Sequence, residues 1–231
     1  QQEEEQQQQQ QQLPHSDELV MRLELNLMHL HTPLEEIQLF AGMEGPEQAH
    51  LVYPRIRDWA KSEAARSAVW HAGQILRAAK RLPKSTIGGA CAIMVYHASL
   101  VLWVYGLLSY NVVGHPHGEL SASRAPIGGN TAAEGQASHT VVWLDGPEGV
   151  TTQRFVQLAT GRPCIRGFPQ SDDRHDVCLS QPDRAIAVVA SILRRNHEGL
   201  SRSRLVDNLL QLLEGLQKAC TKTGGFPGMG L

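Results

Sequence analysis

Apolar side chains recur every three or four positions over most of this chain, and Pro, Gly or a capping residue stands where the rhythm breaks. Leu19, Leu23, Leu27 and Leu30 predict a first helix opening at Ser16, with these leucines on one face. Thr32-Pro33-Leu34-Glu35 reads as a capping box with Pro at the first helical position. Gly42 supplies the stop, so Leu34, Ile37 and Phe40 are expected to face inward. A third helix, from about Glu47 to Ala60, contains Pro54, which is expected to kink or split it.

Ser62 caps the next predicted helix, in which Val69, Ala72, Leu76 and Ala79 keep helical spacing until Pro83. The pair Ser62–Arg81 and Ile87–Tyr110 is the expected centre of the fold, since Ala90 to Val113 contains no Asp, Glu, Lys or Arg. Gly114 to Ser138 is rich in Gly, Pro, Ser and Ala and reads as a long exposed loop. Beyond it, Val141-Val142-Trp143-Leu144 fits either a brief strand or buried chain. Thr152 is expected to open a short helix stopped by Gly161, and Phe168 to Asp176 reads as a polar connection. Ser180-Gln181-Pro182-Asp183 announces a helix running through Ile186, Val189, Ile192 and Leu193 to Asn196. A last helix, from about Arg202 to Cys220, carries the stripe Leu205, Leu209, Leu212, Leu216 and Ala219.

The expected fold is all-α, a multi-helix, bundle-like domain with a long central loop. Its divisions are a Gln-rich segment 1–15, a first helical part 16–113, a flexible loop 114–140, a second helical part 141–222 and a tail 223–231. The Gln tract, broken by Glu3, Glu4 and Glu5, buries no apolar surface and is expected to be disordered or transiently helical. The start without Met reads as that of a fragment.

Composition narrows the functional classes. At 231 residues and 42% hydrophobic content the chain can bury a large core. Its 21 Lys and Arg nearly balance 23 Asp and Glu, so no global field holds a nucleic-acid backbone. Basic residues gather at Arg77, Lys80, Arg81 and Lys84, and at Arg194, Arg195, Arg202 and Arg204, where solvated helix ends explain them better than a phosphate-binding face. The four cysteines, Cys91, Cys164, Cys178 and Cys220, are dispersed without a C-x-x-C pair, which favours free thiols and a reducing compartment.

Candidate chemistry is sparse. His29-Leu30-His31 and His115-Pro116-His117 lack a partner pair at zinc-site spacing, and His71 and His97 read as buried, satisfied histidines. Glu35-Glu36 and Asp172-Asp173 are neighbours in sequence whose side chains diverge. No nucleophile elbow, phosphate loop, H-E-x-x-H or dinucleotide fingerprint occurs, so no catalytic, cofactor-binding or metal residue is assigned. The uncharged segment Ala90 to Val113 is long enough to cross a bilayer, but His97 and Asn111 and the amphipathic helices around it favour a central core helix. A hydrolase or lyase on a helical scaffold would need a pocket joining His71 or His97 to a carboxylate.

Leu39-Phe40-Ala41-Gly42, Trp59, the run Ala65 to Ala79 with its His71-Ala72-Gly73-Gln74 core, and Val95 to Gly106 with Tyr96-His97-Ala98-Ser99-Leu100 resemble the C-terminal half of fungal-specific transcription factors. The likeness spans roughly Leu34 to Leu108 and continues more loosely through Val142 to Gly146 and Leu205 to Leu216. Lys84 to Gly89 departs from it, being shorter and more polar than that family's connection. The resemblance implies a helical regulatory domain that acts in the nucleus on RNA polymerase II transcription through transcriptional machinery or co-regulator proteins. It implies no cofactor in this chain, no membrane, and zinc and DNA contact only through an N-terminal zinc-finger domain that these residues do not include. The motifs are not binding residues in that family, so no site transfers with them.

Overall fold

The computed structural model describes residues 2–111, 140–167, 176–198 and 202–222. Among them are eight helices and a small three-stranded sheet, so the fold is mainly helical rather than all-α. The predicted loop 114–138 and the tail from 223 lie outside the described residues, as do His115, His117, Asp172 and Asp173.

The first helix, α1 (Gln2–Leu30), takes in the glutamine tract as helix and opens well before Ser16, so Ser16 is not its cap. Its leucine face is not the packed one. Leu19, Leu23 and Leu30 are 65%, 58% and 77% exposed, whereas Met21 and Met28 are wholly buried. Those methionines, seven residues apart, lie on one side of the helix, which packs against α4 (Glu63–Arg81). Asp17 pairs with Arg81 and Glu24 with His71, so α1 and α4 run antiparallel.

The second helix, α2 (Leu34–Phe40), buries Ile37 and Phe40, while Leu34 is only half-buried. The capping box does not form: Thr32 Oγ1 donates instead to Met28 O at 2.6 Å, closing the end of α1. The stop works as expected. Gly42 N–H bonds Leu39 O and Met43 N–H bonds Gln38 O, the paired bonds of a Schellman motif around a residue at φ 96°. Helix α3 (Pro46–Ala60) runs through Pro54 without splitting and buries Val52, Ile56 and Ala60. Ser62 caps α4 as the sequence expects, accepting from Ala65 N–H at 3.0 Å.

The central helix, α5 (Gly89–Asn111), packs against α1, α2, α3, α4, α7 (Pro182–Asn196) and α8 (Arg204–Lys222). Fully buried Trp103 sits at its middle, its ring 5.8 Å from that of Phe40 and its indole N–H 3.0 Å from Cys220 Sγ. Helix α7 begins with Pro182 at its first position and buries Ile186, Val189, Ile192 and Leu193. In α8 the buried face is Val206, Leu209, Leu210, Leu213 and Leu216, while Leu212 is exposed. The stripe read from the sequence is therefore rotated, because leucines occupy nearly every side of this helix.

Three strands were not foreseen as a sheet. Strand β1 (Val141–Trp143) runs parallel to β2 (Arg162–Ile165) through the intervening helix α6 (Val150–Leu158), and β2 runs antiparallel to β3 (Val177–Cys178). Helix α6 starts two residues before Thr152 and ends on Ala159, at φ 55°, ahead of Gly161. Cys164 and Cys178 face each other across the antiparallel pair and are bonded as a disulfide. This corrects the expectation of four free thiols, since the register of two short strands, invisible in the spacing, makes them neighbours. Cys91 and Cys220 are free.

Candidate functional site

Helix α4 is one element through which the small sheet joins the helices, and residues behind the family resemblance do much of the joining. A Cβ at Gly73 would overlap the carbonyl of Leu144, so only glycine lets the chain after β1 lie this close. One residue on, Gln74 Nε2 donates to Leu144 O at 2.7 Å and Gly146 O at 2.9 Å, and Arg77 donates to Gly146 O at 3.1 Å. A turn further, Lys80 Nζ bonds Asp145 Oδ2 at 2.7 Å and Arg166 O at 2.6 Å. Asp145, itself buried, also accepts from Arg166 N–H. Gly106 plays the matching part on α5, where a Cβ would overlap the carbonyl of Leu179, just after β3. Arg66, nearly buried, reaches Val156 O on α6 at 2.7 Å and the carbonyls of Lys61 and Ser62. Gln74, Arg77 and Arg66 are matched to backbone carbonyls and Lys80 to a carbonyl and the Asp145 carboxylate, whose Oδ1 is buried without a partner, and the arrangement holds the sheet in place.

Four of the described histidines form two pairs between α1 and the central helices. His71 Nδ1 lies 2.7 Å from Glu24 Oε2 and stacks on His31, whose carbonyl accepts from Trp59 Nε1 at 2.8 Å. His97 lies beside His29, with ring centroids 5.4 Å apart and with His29 Nε2 and His97 Nδ1 buried without a partner. Burial, and secondarily the charge of His29, pushes the His97 pKa down to about 4, while burial lowers that of His29. The expected bond to a neighbouring side chain is made by His71, through the Glu24 carboxylate, and is missing at His97 Nδ1, and both residues are half-buried where full burial was expected. Among the described residues no group of three or more His, Cys, Asp or Glu is placed to hold a metal ion.

The basic clusters are engaged locally. Arg81 pairs with Asp17, Lys84 with Glu198, Arg194 with Glu214 and Arg202 with Asp207. Lys80, Lys84, Arg195 and Asn196 border a cleft of about 80 Å³ floored by Leu82, Ile87 and Ile192. Asn196 is committed to the fold there, accepting from Ile87 N–H at 2.8 Å and donating to Pro83 O at 2.7 Å. Glu36 meets Arg55 at 3.4 Å.

Among the apolar surfaces left open to solvent is the outer side of α1. Leu19, Leu23 and Leu30 lie along it with half-buried Leu27, flanked by the Glu18–Arg22 ion pair at 2.5 Å. The same helix continues toward its start as the glutamine tract. Scattered exposed leucines are ordinary, but a row on one helix face marks a surface suited to protein contact. The sequence places these leucines on one face, and leucine spacing alone does not say whether that face is covered. No family model, curated protein or solved structure matches the chain.

Proposed function

We propose that this chain is the regulatory, non-DNA-contacting domain of a fungal zinc-finger transcription factor, acting in the nucleus through protein contacts made by α1. The observation that carries the reading is the exposed leucine row on a helix continuous with a glutamine tract, on a body whose other conspicuous polar groups are used to hold itself together. Its occupant on this reading is a co-regulator protein offering an apolar groove of the helix-receiving kind. DNA and zinc belong to a zinc-finger domain outside these residues. The resemblance of Leu34 to Leu108 to fungal-specific transcription factors supports the class. So does the placement of Gly73 and Gln74, from its more specific His-Ala-Gly-Gln run, at the seam between α4 and the chain after β1.

The test fuses residues 1–231 to a heterologous DNA-binding domain and measures reporter output in a fungal host. Replacing Leu19, Leu23 and Leu30 together by Gln is expected to change that output while thermal stability stays constant. Unchanged output from a normally folded, nuclear variant would remove α1 from the mechanism, and unchanged output after loss of the whole chain would remove the regulatory role.

A further inference from the structure

We infer that Cys164 and Cys178 form a reversible redox modification site, in which a hydroperoxide oxidises the dithiol to the disulfide and Cys178 is the sulfur that reacts first. Three features of the β2–β3 pair support this. The two cysteines sit opposite each other in the strand register and are bonded there. Their environments differ: Cys164 is essentially buried, whereas Cys178 is partly open to solvent. Beside Cys178, the Arg162 guanidinium places Nη2 3.4 Å from Sγ, where it favours a thiolate once the bond is reduced. The remaining cysteines lack this setting. Burial raises the thiol pKa of both Cys91 and Cys220, which keeps them protonated and slow.

The chemistry balances in two steps. The Cys178 thiolate attacks one oxygen of the hydroperoxide; an S–O bond forms, the O–O bond breaks, and the alkoxide or hydroxide leaves and takes up a proton. Cys178 is now a sulfenic acid. The Cys164 thiolate then attacks that sulfur; the S–S bond forms, the S–O bond breaks, and hydroxide leaves to become water. Two cysteine sulfurs have lost two electrons to the peroxide. A dithiol reductant returns them by thiol–disulfide exchange and is itself oxidised to a disulfide.

The bond has a structural readout built in. Strand β3 is only two residues long, and the residue after it, Leu179, sets its carbonyl against Gly106 of the central helix and bonds Pro163 O through its N–H at 2.9 Å. Helix α7 starts three residues later. Oxidation therefore ties the entry to α7 covalently to β2, and reduction leaves it held by the short ladder alone.

The experiment takes the full chain, reduces it, adds one equivalent of hydrogen peroxide, and maps the cysteines by mass spectrometry after alkylation. Expected is a mass loss of two hydrogen atoms confined to the peptide pair holding Cys164 and Cys178, reversed by a thioredoxin-type dithiol. Amide exchange over residues 176–181 should be faster in the reduced form. In Cys164→Ser, a sulfenic-acid trap should label Cys178, and in Cys178→Ser it should leave Cys164 unlabelled. Arg162→Gln is expected to slow oxidation about tenfold without altering the Cys164→Ser labelling site. A disulfide that resists the dithiol reductant in the folded chain, or peroxide that oxidises Cys91 or Cys220 as readily as the pair, would overturn the proposal. So would a Cys164→Ser chain that folds normally and yields no sulfenic acid at Cys178.

Discussion

At the scale of single residues, two helical glycines, Gly73 in α4 and Gly215 in α8, face opposing demands. Alanine is a better helix former than glycine by about 1 kcal/mol, so Gly→Ala stabilises wherever the new methyl finds room. At Gly215 in α8 a Cβ meets nothing within 4 Å, and Gly215→Ala is expected to stabilise by up to about 1 kcal/mol. At Gly73 the same methyl meets both the backbone and the Cβ of Leu144, and Gly73→Ala is expected to cost about 2–3 kcal/mol despite its propensity gain. Urea titration of both variants checks the opposite signs, and a stabilised Gly73→Ala would show that the sheet does not dock here. His97 supplies a second residue-scale effect. Neutral in the folded chain down to about pH 4 but protonated from about pH 6.5 when unfolded, it makes stability fall as pH drops through that window. Allowing for its partial exposure, the loss is about 1–2 kcal/mol. His97→Phe should flatten the difference between urea midpoints at neutral pH and at about pH 4.5.

Elements were legible where local chemistry decides them and misread where a long-range partner does. Ser62 as a cap, Gly42 as a stop and Pro182 at the start of α7 each act within one turn, and the structure repeats them. The faces of α1 and α8 depend on which neighbour arrives, which no spacing states; Met21 and Met28 were overlooked because leucines drew the stripe. The strands, two to four residues long, are too short for an alternating pattern, and the partners joined by β1–β2 pairing lie 21 residues apart, Val141 opposite Arg162. The disulfide was hidden for the same reason. The corrected face of α1 gives a direct comparison. Met21→Ala and Met28→Ala are each expected to cost about 2–5 kcal/mol, while Leu19→Gln, Leu23→Gln and Leu30→Gln stay within about 0.5 kcal/mol of the parent. Chemical denaturation of the five single variants reads this out, and a reversed order would return the leucines to the core.

Over the whole molecule, α5 decides what kind of protein this is. Among the described residues, Gly89–Ser109 is long and apolar enough to cross a membrane, yet 83% of that window is buried inside the protein. Six other helices cover it, and at Gly106 its backbone closely approaches the chain just after β3. Lipid and core make different demands on that position. A membrane span gains from added apolar bulk, so Gly106→Leu would leave its retention in a carbonate-washed membrane pellet intact or strengthened. A core helix has no space for it: the side chain must displace the Leu179 carbonyl, separate β3 from α5 and strip α7 of its anchored start. We therefore expect the parent chain in the carbonate supernatant with a single cooperative thermal transition, and Gly106→Leu with that transition lowered or lost. Retention in the pellet, with Gly106→Leu indistinguishable from the parent, would make the helix a span and the helices around it a different structure.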